Sequence, residues 1–156
     1  MGDRRVNLRE AVARLRQVAE VEALSSIYES DPVGYADQPR FWNMVARAST
    51  RLPPHELLAA LTGIEQAMGR LRSFRNAPRI IDLDILLYDD LVLNEPGLQL
   101  PHPRMTGRAF VLRPLAELAP ALRDPQTGAL YRDLLERGKF EEAVAVAAAS
   151  ELNHEE

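Results

Sequence analysis

Residues 80–88 read Ile80-Ile81-Asp82-Leu83-Asp84-Ile85-Leu86-Leu87-Tyr88. Successive side chains of a strand alternate faces, so Ile81, Leu83, Ile85 and Leu87 point together into a core. Asp82 and Asp84 then share the opposite face, about 7 Å apart at Cα for a rise of roughly 3.3 Å per residue. Two ionised carboxylates about 5 Å apart repel by roughly 3 kcal/mol at an effective dielectric near 20. Aspartate also has poor strand propensity. A cation is expected to offset that cost, and Mg2+ commonly takes one or two carboxylates together with substrate phosphates. For an isolated Asp-x-Asp the alternative is a solvated sheet face, or an aspartate paired with a nearby arginine.

The segment entering this strand favours the first reading. Between Gly69 and Arg79 stand Arg70, Arg72, Arg75 and Arg79 and no acid. Arginine grips phosphate oxygens bidentately, so cations and carboxylates reach one end of one strand face, the pattern of a Mg2+–polyphosphate site. No Gly-x-x-x-x-Gly-Lys-[Ser/Thr] run is present, Lys139 is the only lysine, and protein-kinase motifs are missing. A nucleotide must therefore be held by side chains. On another strand, Asn43 offers an amide donor and acceptor to a planar heterocycle beside Phe41, and Phe110 is a candidate second aromatic face. His102 is presented between Pro101 and Pro103.

Working outward, Leu8, Ala11, Val12, Leu15, Val18 and Ala19 recur at helical spacing and predict an amphipathic helix over about 6–22. A strand is expected over 24–30, then a loop over 31–40. A second strand over 41–50 would turn Trp42, Met44, Ala46 and Ala48 to the core. Pro53-Pro54 opens a helix that Gly69 closes. After the 80–88 strand come a short strand near 91–93, an irregular stretch over 98–113, one helical turn over 114–118, and a helix over 131–149 broken near Gly138. This order gives an α+β sandwich, a mainly antiparallel sheet with helices on one face, close to the ferredoxin-like plait but without a strand ahead of the first helix.

The 156 residues suit a single domain with a peripheral C-terminal helix and tail over about 138–156. Hydrophobic residues are 46% and charged residues 27%, enough apolar surface to exclude a wholly disordered chain. No apolar run reaches the roughly 18 residues of a membrane span. The absence of cysteine excludes a disulfide framework, a thiol nucleophile and a Cys-based zinc site. With no secretory-type apolar stretch near Met1, a cytoplasmic location is expected. The net charge of −4 argues against a generally basic nucleic-acid surface.

These residues resemble a known family. The stretch Arg75-Asn76-Ala77-Pro78-Arg79-Ile80-Ile81-Asp82-Leu83-Asp84-Ile85-Leu86 looks like the signature of the 6-hydroxymethyl-7,8-dihydropterin pyrophosphokinases. Gly2-Asp3-Arg4 with Asn7-Leu8, Tyr28 to Gly34 with Asp37-Gln38-Pro39 and Phe41-Trp42-Asn43, and Pro101 to Met105 with Arg108 to Leu112, Pro114 and Leu115 agree in order, covering about residues 2–137. The resemblance implies transfer of the diphosphoryl group of ATP to the hydroxymethyl group of the reduced pterin, releasing AMP, in folate biosynthesis. It implies two Mg2+ ions on Asp82 and Asp84. Arg70, Arg72, Arg79, His102 and Arg108 would contact ATP phosphates, with Glu65 bordering the nucleotide. Asn43 would read the pterin edge between Phe41 and Phe110, with Val33, Gly34 and Gln38 lining the same pocket. The expected enzyme is a monomer acting on small molecules, with no nucleic-acid or membrane partner. The family begins with a strand ending in Gly-Ser-Asn-Leu, and Met1 stands where that leucine would be, so this first strand is expected to be missing. The alternatives are a truncated, inactive relative, or a non-catalytic plait module binding RNA through the arginine loop, Phe41 and Trp42.

Overall fold

The computed structural model describes residues 4–30, 41–69, 81–138, 140 and 144–148. In chain order the elements are α1 (Arg4–Leu15), β1 (Glu20–Leu24), β2 (Ile27–Ser30), β3 (Phe41–Asn43), β4 (Ala46–Ser49), α2 (Pro54–Gly69), β5 (Leu93–Glu95) and β6 (Leu98–Leu100). A 3-10 turn (Met105–Gly107), α3 (Ala109–Leu118), α4 (Tyr131–Arg137) and β7 (Val144–Ala148) follow. The class is α+β: helices with small antiparallel sheets ordered β3-β2-β7 and β5-β6, and a two-stranded sheet of β1 and β4. The chain divides into two compact units, residues 1–22 with 48–85 and residues 23–47 with 86–156.

In the first unit α1 packs on α2 through buried Leu8 and Ala11 on one helix and Leu61, Ile64 and Met68 on the other. Helix α2 starts and stops where its prolines and Gly69 place it, and the Leu57 N–H closes the first turn on the Pro53 carbonyl at 2.8 Å. Helix α1 is shorter than its apolar spacing predicts. Past Leu15 the chain turns, with the Val18 and Ala19 N–H groups both donating to the Leu15 carbonyl at 3.0 Å. The Glu20-Val21-Glu22-Ala23 alternation then makes β1, with the glutamates exposed.

In the second unit the short strand expected over 24–30 begins only at Ile27, and the strand expected over 41–50 is split into β3 and β4. The Ser25 N–H donates to the Val45 carbonyl at 2.9 Å, and the Val45 N–H donates to the Ser25 hydroxyl at 2.9 Å rather than to a backbone oxygen. That side-chain substitution interrupts the pairing where the β1–β4 ladder gives way to the β2–β3 ladder, and it resets the alternation of faces. Ala46 and Ala48 are therefore exposed, against expectation, while Val45 packs on the core. Trp42 is half-buried and donates its indole N–H to Glu29, its cross-strand partner, at 3.0 Å.

That core centres on Met105, Val111, Leu112, Leu115 and Tyr131, with Leu112 and Tyr131 wholly buried. Three of these lie on α3, which is longer than the single turn expected from Pro114. The buried stripe of Val111, Leu112 and Leu115 carries the helix through the proline. Tyr28 on β2 donates its hydroxyl to Glu117 at 2.6 Å, and the same carboxylate accepts the Ser26 N–H and hydroxyl. Burial and that carboxylate push the Tyr28 hydroxyl up to about 12, with Arg113 opposing.

Two more expectations are corrected. The helix predicted to run to 149 ends at Arg137, and Val144–Ala148 is a strand antiparallel to β2. The alanines suggest a helix, but the unpaired edge of β2 offers the backbone a full ladder. A Cβ at Gly138 would overlap the Phe140 ring as it stands, so glycine here leaves room for that ring rather than making a left-handed turn. The run 81–88, expected as the strongest strand, takes part in no β-ladder among the described residues. Its alternation still holds: Asp82 and Asp84 are exposed, Ile81 and Leu83 half-buried, and Ile85 buried. Strand assignment needs a hydrogen-bonded neighbour, and alternation alone does not supply one. The irregular stretch expected after residue 98 begins with β6 instead, hairpinned to β5 through Pro96-Gly97. Gly97 there has φ of 81°, as the third position of a type II turn requires.

Candidate functional site

Asp82 and Asp84 stand on the exposed face of their segment, and the link between them is held from below. Glu65, on α2 one turn before its end, accepts the Leu83 N–H at 2.6 Å. One carboxylate of the helix thus fixes the peptide that joins the two aspartates. Such a bond to a charged acceptor contributes roughly 1.5–3 kcal/mol. Glu65→Ala is expected to lower stability by about that amount, and Glu65→Gln, which keeps an acceptor oxygen, by less than half as much; thermal unfolding of both variants checks this.

Among the described residues no group of three or more His, Cys, Asp or Glu side chains is placed to hold a metal. Two carboxylates are nonetheless a fitting donor set for a hard divalent ion whose remaining ligands are water and phosphate oxygen.

A second cluster lies in the other unit, around Asn43. Its Nδ2 donates to the Phe110 carbonyl, and its Oδ1 is buried with no hydrogen-bond partner among the described residues. A buried acceptor without a partner costs roughly 1–3 kcal/mol, which a bound N–H donor would recover. The Arg108 guanidinium lies over the Phe110 ring, 5.5 Å from its centroid. On β2, the neighbour of β3, the Ser30 hydroxyl is likewise buried and unpartnered among the described residues. Sequence reasoning did not single out Ser30 as a site residue. The signal for it was its place within the Tyr28 to Gly34 stretch that resembles the family. The Phe41 backbone pairs with Ser30 across the ladder.

His102 is held by its backbone N–H, which donates to the Leu86 carbonyl at 2.8 Å. Its Nδ1 accepts the Arg104 N–H at 3.2 Å. With Nδ1 an acceptor, the ring proton sits on Nε2, a donor suited to an anionic oxygen. The ring lines a cavity of about 290 Å3 with Met105, Thr106 and Thr127.

Of the residues expected at the site, Asn43, Phe110 and Arg108 form one cluster, and Glu65, Asp82 and Asp84 another. Val33, Gly34, Gln38, Arg70, Arg72 and Arg79 lie outside the described residues. No helix among the described residues is long and apolar enough to cross a membrane.

The family described as 7,8-dihydro-6-hydroxymethylpterin-pyrophosphokinase matches residues 1–120. A 2-amino-4-hydroxy-6-hydroxymethyldihydropteridine pyrophosphokinase of Pseudomonas aeruginosa is 50% identical over 132 residues, 85% of this chain and 80% of that protein. The protein of the same name from Bacillus subtilis is 48% identical over 131 residues, 83% of this chain and 78% of its own length. The folic acid synthesis protein FOL1 of Dictyostelium discoideum is 41% identical over 125 residues, which are 80% of this chain but only 19% of that much longer protein.

Proposed function

The chain belongs to the 7,8-dihydro-6-hydroxymethylpterin-pyrophosphokinase family, and from that premise we propose how its residues divide the work of the reaction. The enzyme transfers the diphosphoryl group of ATP to the hydroxymethyl oxygen of 6-hydroxymethyl-7,8-dihydropterin, yielding AMP and the pterin diphosphate in folate biosynthesis. The RNA-binding reading is not favoured by this ancestry.

Asn43 carries the assignment for the pterin. Its buried Oδ1 has no hydrogen-bond partner among the described residues and can take an N–H donor, while one Nδ2 hydrogen is given to the Phe110 carbonyl. A reduced pterin presents ring and amino N–H groups on one edge, the complement of a single fixed acceptor. Phe110 and Phe41 flank the ring, and Val33, Gly34 and Gln38 complete the pocket. Arg70, Arg72, Arg79, Arg108 and His102 hold the phosphate oxygens, where guanidinium forks and the Nε2 proton match anionic acceptors. Asp82 and Asp84 would hold Mg2+, two ions in this reading, which when bound neutralises phosphate charge and orients the phosphoryl group. No residue need act as a strong base, because phosphoryl transfer depends mostly on positioning and charge. The ferredoxin-like plait belongs to the same proposal: the run 81–88 keeps the face alternation of a strand. A monomer in the cytoplasm fits a chain without cysteine acting on two small substrates.

The decisive assay follows AMP formed from ATP with and without the reduced pterin, at fixed Mg2+. AMP is expected only with both substrates, and AMP release independent of pterin contradicts the proposal. Asn43→Ala is expected to raise the pterin KM by about tenfold or more, since a lost ligand hydrogen bond is worth about 1 kcal/mol and its pocket contact adds to that. The ATP KM should stay within about twofold.

A further inference from the structure

Helix α3 contains a proline in its interior, Pro114, and its ring is fully buried. In an uninterrupted helix the N–H of residue 114 would donate to the carbonyl of residue 110. Proline has no N–H, so the Phe110 carbonyl loses its usual partner. That carbonyl is the one that accepts the Asn43 Nδ2. A carbonyl can only accept, so it dictates which end of the Asn43 amide faces it: the NH2 group turns to the helix and Oδ1 turns away, buried and without a partner among the described residues.

We propose that Pro114 is a positioning residue for substrate recognition: by removing one helix donor it frees the Phe110 carbonyl to lock the Asn43 amide with its oxygen outward. The ligand atom that meets Oδ1 must therefore be a donor. This inference rests on the reading of Asn43 as the pterin contact. The hydrogen bond itself is measurable without any ligand.

Pro114→Ala restores the backbone N–H, which competes with Asn43 for the carbonyl. The affinity for 6-hydroxymethyl-7,8-dihydropterin, measured by titration calorimetry, is expected to fall about tenfold in this variant, with ATP affinity within about twofold. In an Asn43→Ala background the same change should alter pterin affinity by less than about twofold, because Pro114 acts only through Asn43. Independent, additive losses would show a general packing role and overturn the proposal. A separate measurement uses the unsubstituted protein. The 15N-resolved side-chain amide of Asn43 should exchange at least about tenfold more slowly than exposed asparagine amides in the ligand-free chain. Free exchange would overturn the inference even if Pro114→Ala failed to fold. If the amide is protected but Asn43→Ala leaves pterin affinity unchanged, the assignment of Asn43 to the pterin falls, and with it the recognition role of Pro114, while the hydrogen-bond geometry stands.

Discussion

Replacing Asp82 or Asp84 by alanine is expected to lower the rate of diphosphoryl transfer by at least about three orders of magnitude while leaving pterin affinity within roughly threefold. A drop of that size corresponds to about 4 kcal/mol of lost transition-state stabilisation, a reasonable share for a divalent ion that neutralises phosphate charge in phosphoryl transfer. The two side chains are exposed and Ile85 beside them is buried, so truncating either removes a carboxylate without opening a cavity. The Glu65 bond goes to the Leu83 backbone and survives both changes, which keeps the loss local. Rapid-quench measurement of AMP formation gives the rate, and calorimetric titration with ATP, with and without Mg2+, shows whether the variants have lost the ion-dependent part of nucleotide affinity. Near-normal turnover in either variant, or equal ATP affinity with and without Mg2+ in the unsubstituted chain, would remove the metal from these aspartates.

How much of this was legible beforehand follows the range of the interactions concerned. The α2 boundaries were readable because prolines and a glycine act through their own φ angles and missing N–H groups, within a turn of themselves. The alternation of Asp82 and Asp84 against Ile81, Leu83 and Ile85 was readable because a pleat enforces it residue by residue. The break at Ser25 was not. It depends on a hydroxyl reaching the N–H of a residue 20 positions away, and serine at a strand end carries no local mark of that. The strand at 144–148 was misread as helix for a related reason: an alanine-valine run has no strong preference, and the edge of β2 decides it. At the site, the identities of Asn43 and Phe110 were expected, but their connection was not. Phe110 and Pro114 are four apart, a spacing that signals an orphaned carbonyl in any helix. Which side chain fills it depends on a strand far away in sequence.

Asp124 is the second residue whose loss should be severe, and its effect should be on stability rather than on chemistry. It is buried, and one of its oxygens accepts the hydroxyl of wholly buried Tyr131 at 2.8 Å. The other accepts both the N–H and the hydroxyl of Thr127 at 2.9 Å. Its own backbone closes the same loop, donating to the Ala129 carbonyl and accepting from the Gly128 N–H, both at 2.8 Å. Gly128 sits at φ of 77°, a conformation glycine adopts without strain. Removing the carboxylate strands the Tyr131 hydroxyl in the core, so Asp124→Ala is expected to cost about 3 kcal/mol. Thermal unfolding should then fall by roughly 6–12 °C for a chain of this size. Tyr131→Phe, which spares the Thr127 bonds, should cost about 1 kcal/mol. The pH dependence separates this carboxylate from the rest. Burial alone would push its pKa up, but the hydrogen bonds from Tyr131 and Thr127 outweigh that and hold it below the usual carboxylate value. A pKa lower in the folded state means that the unfolded chain binds the proton more readily. The contribution is therefore complete above the ordinary aspartate value near 4 and is lost as pH falls through the lower folded value. Denaturant titrations of the unsubstituted chain and Asp124→Asn should accordingly differ in slope with pH only below about pH 4, the unsubstituted chain losing stability faster. Parallel slopes through that range would mean that Asp124 keeps an ordinary pKa and that its three hydrogen bonds do not favour the charged form.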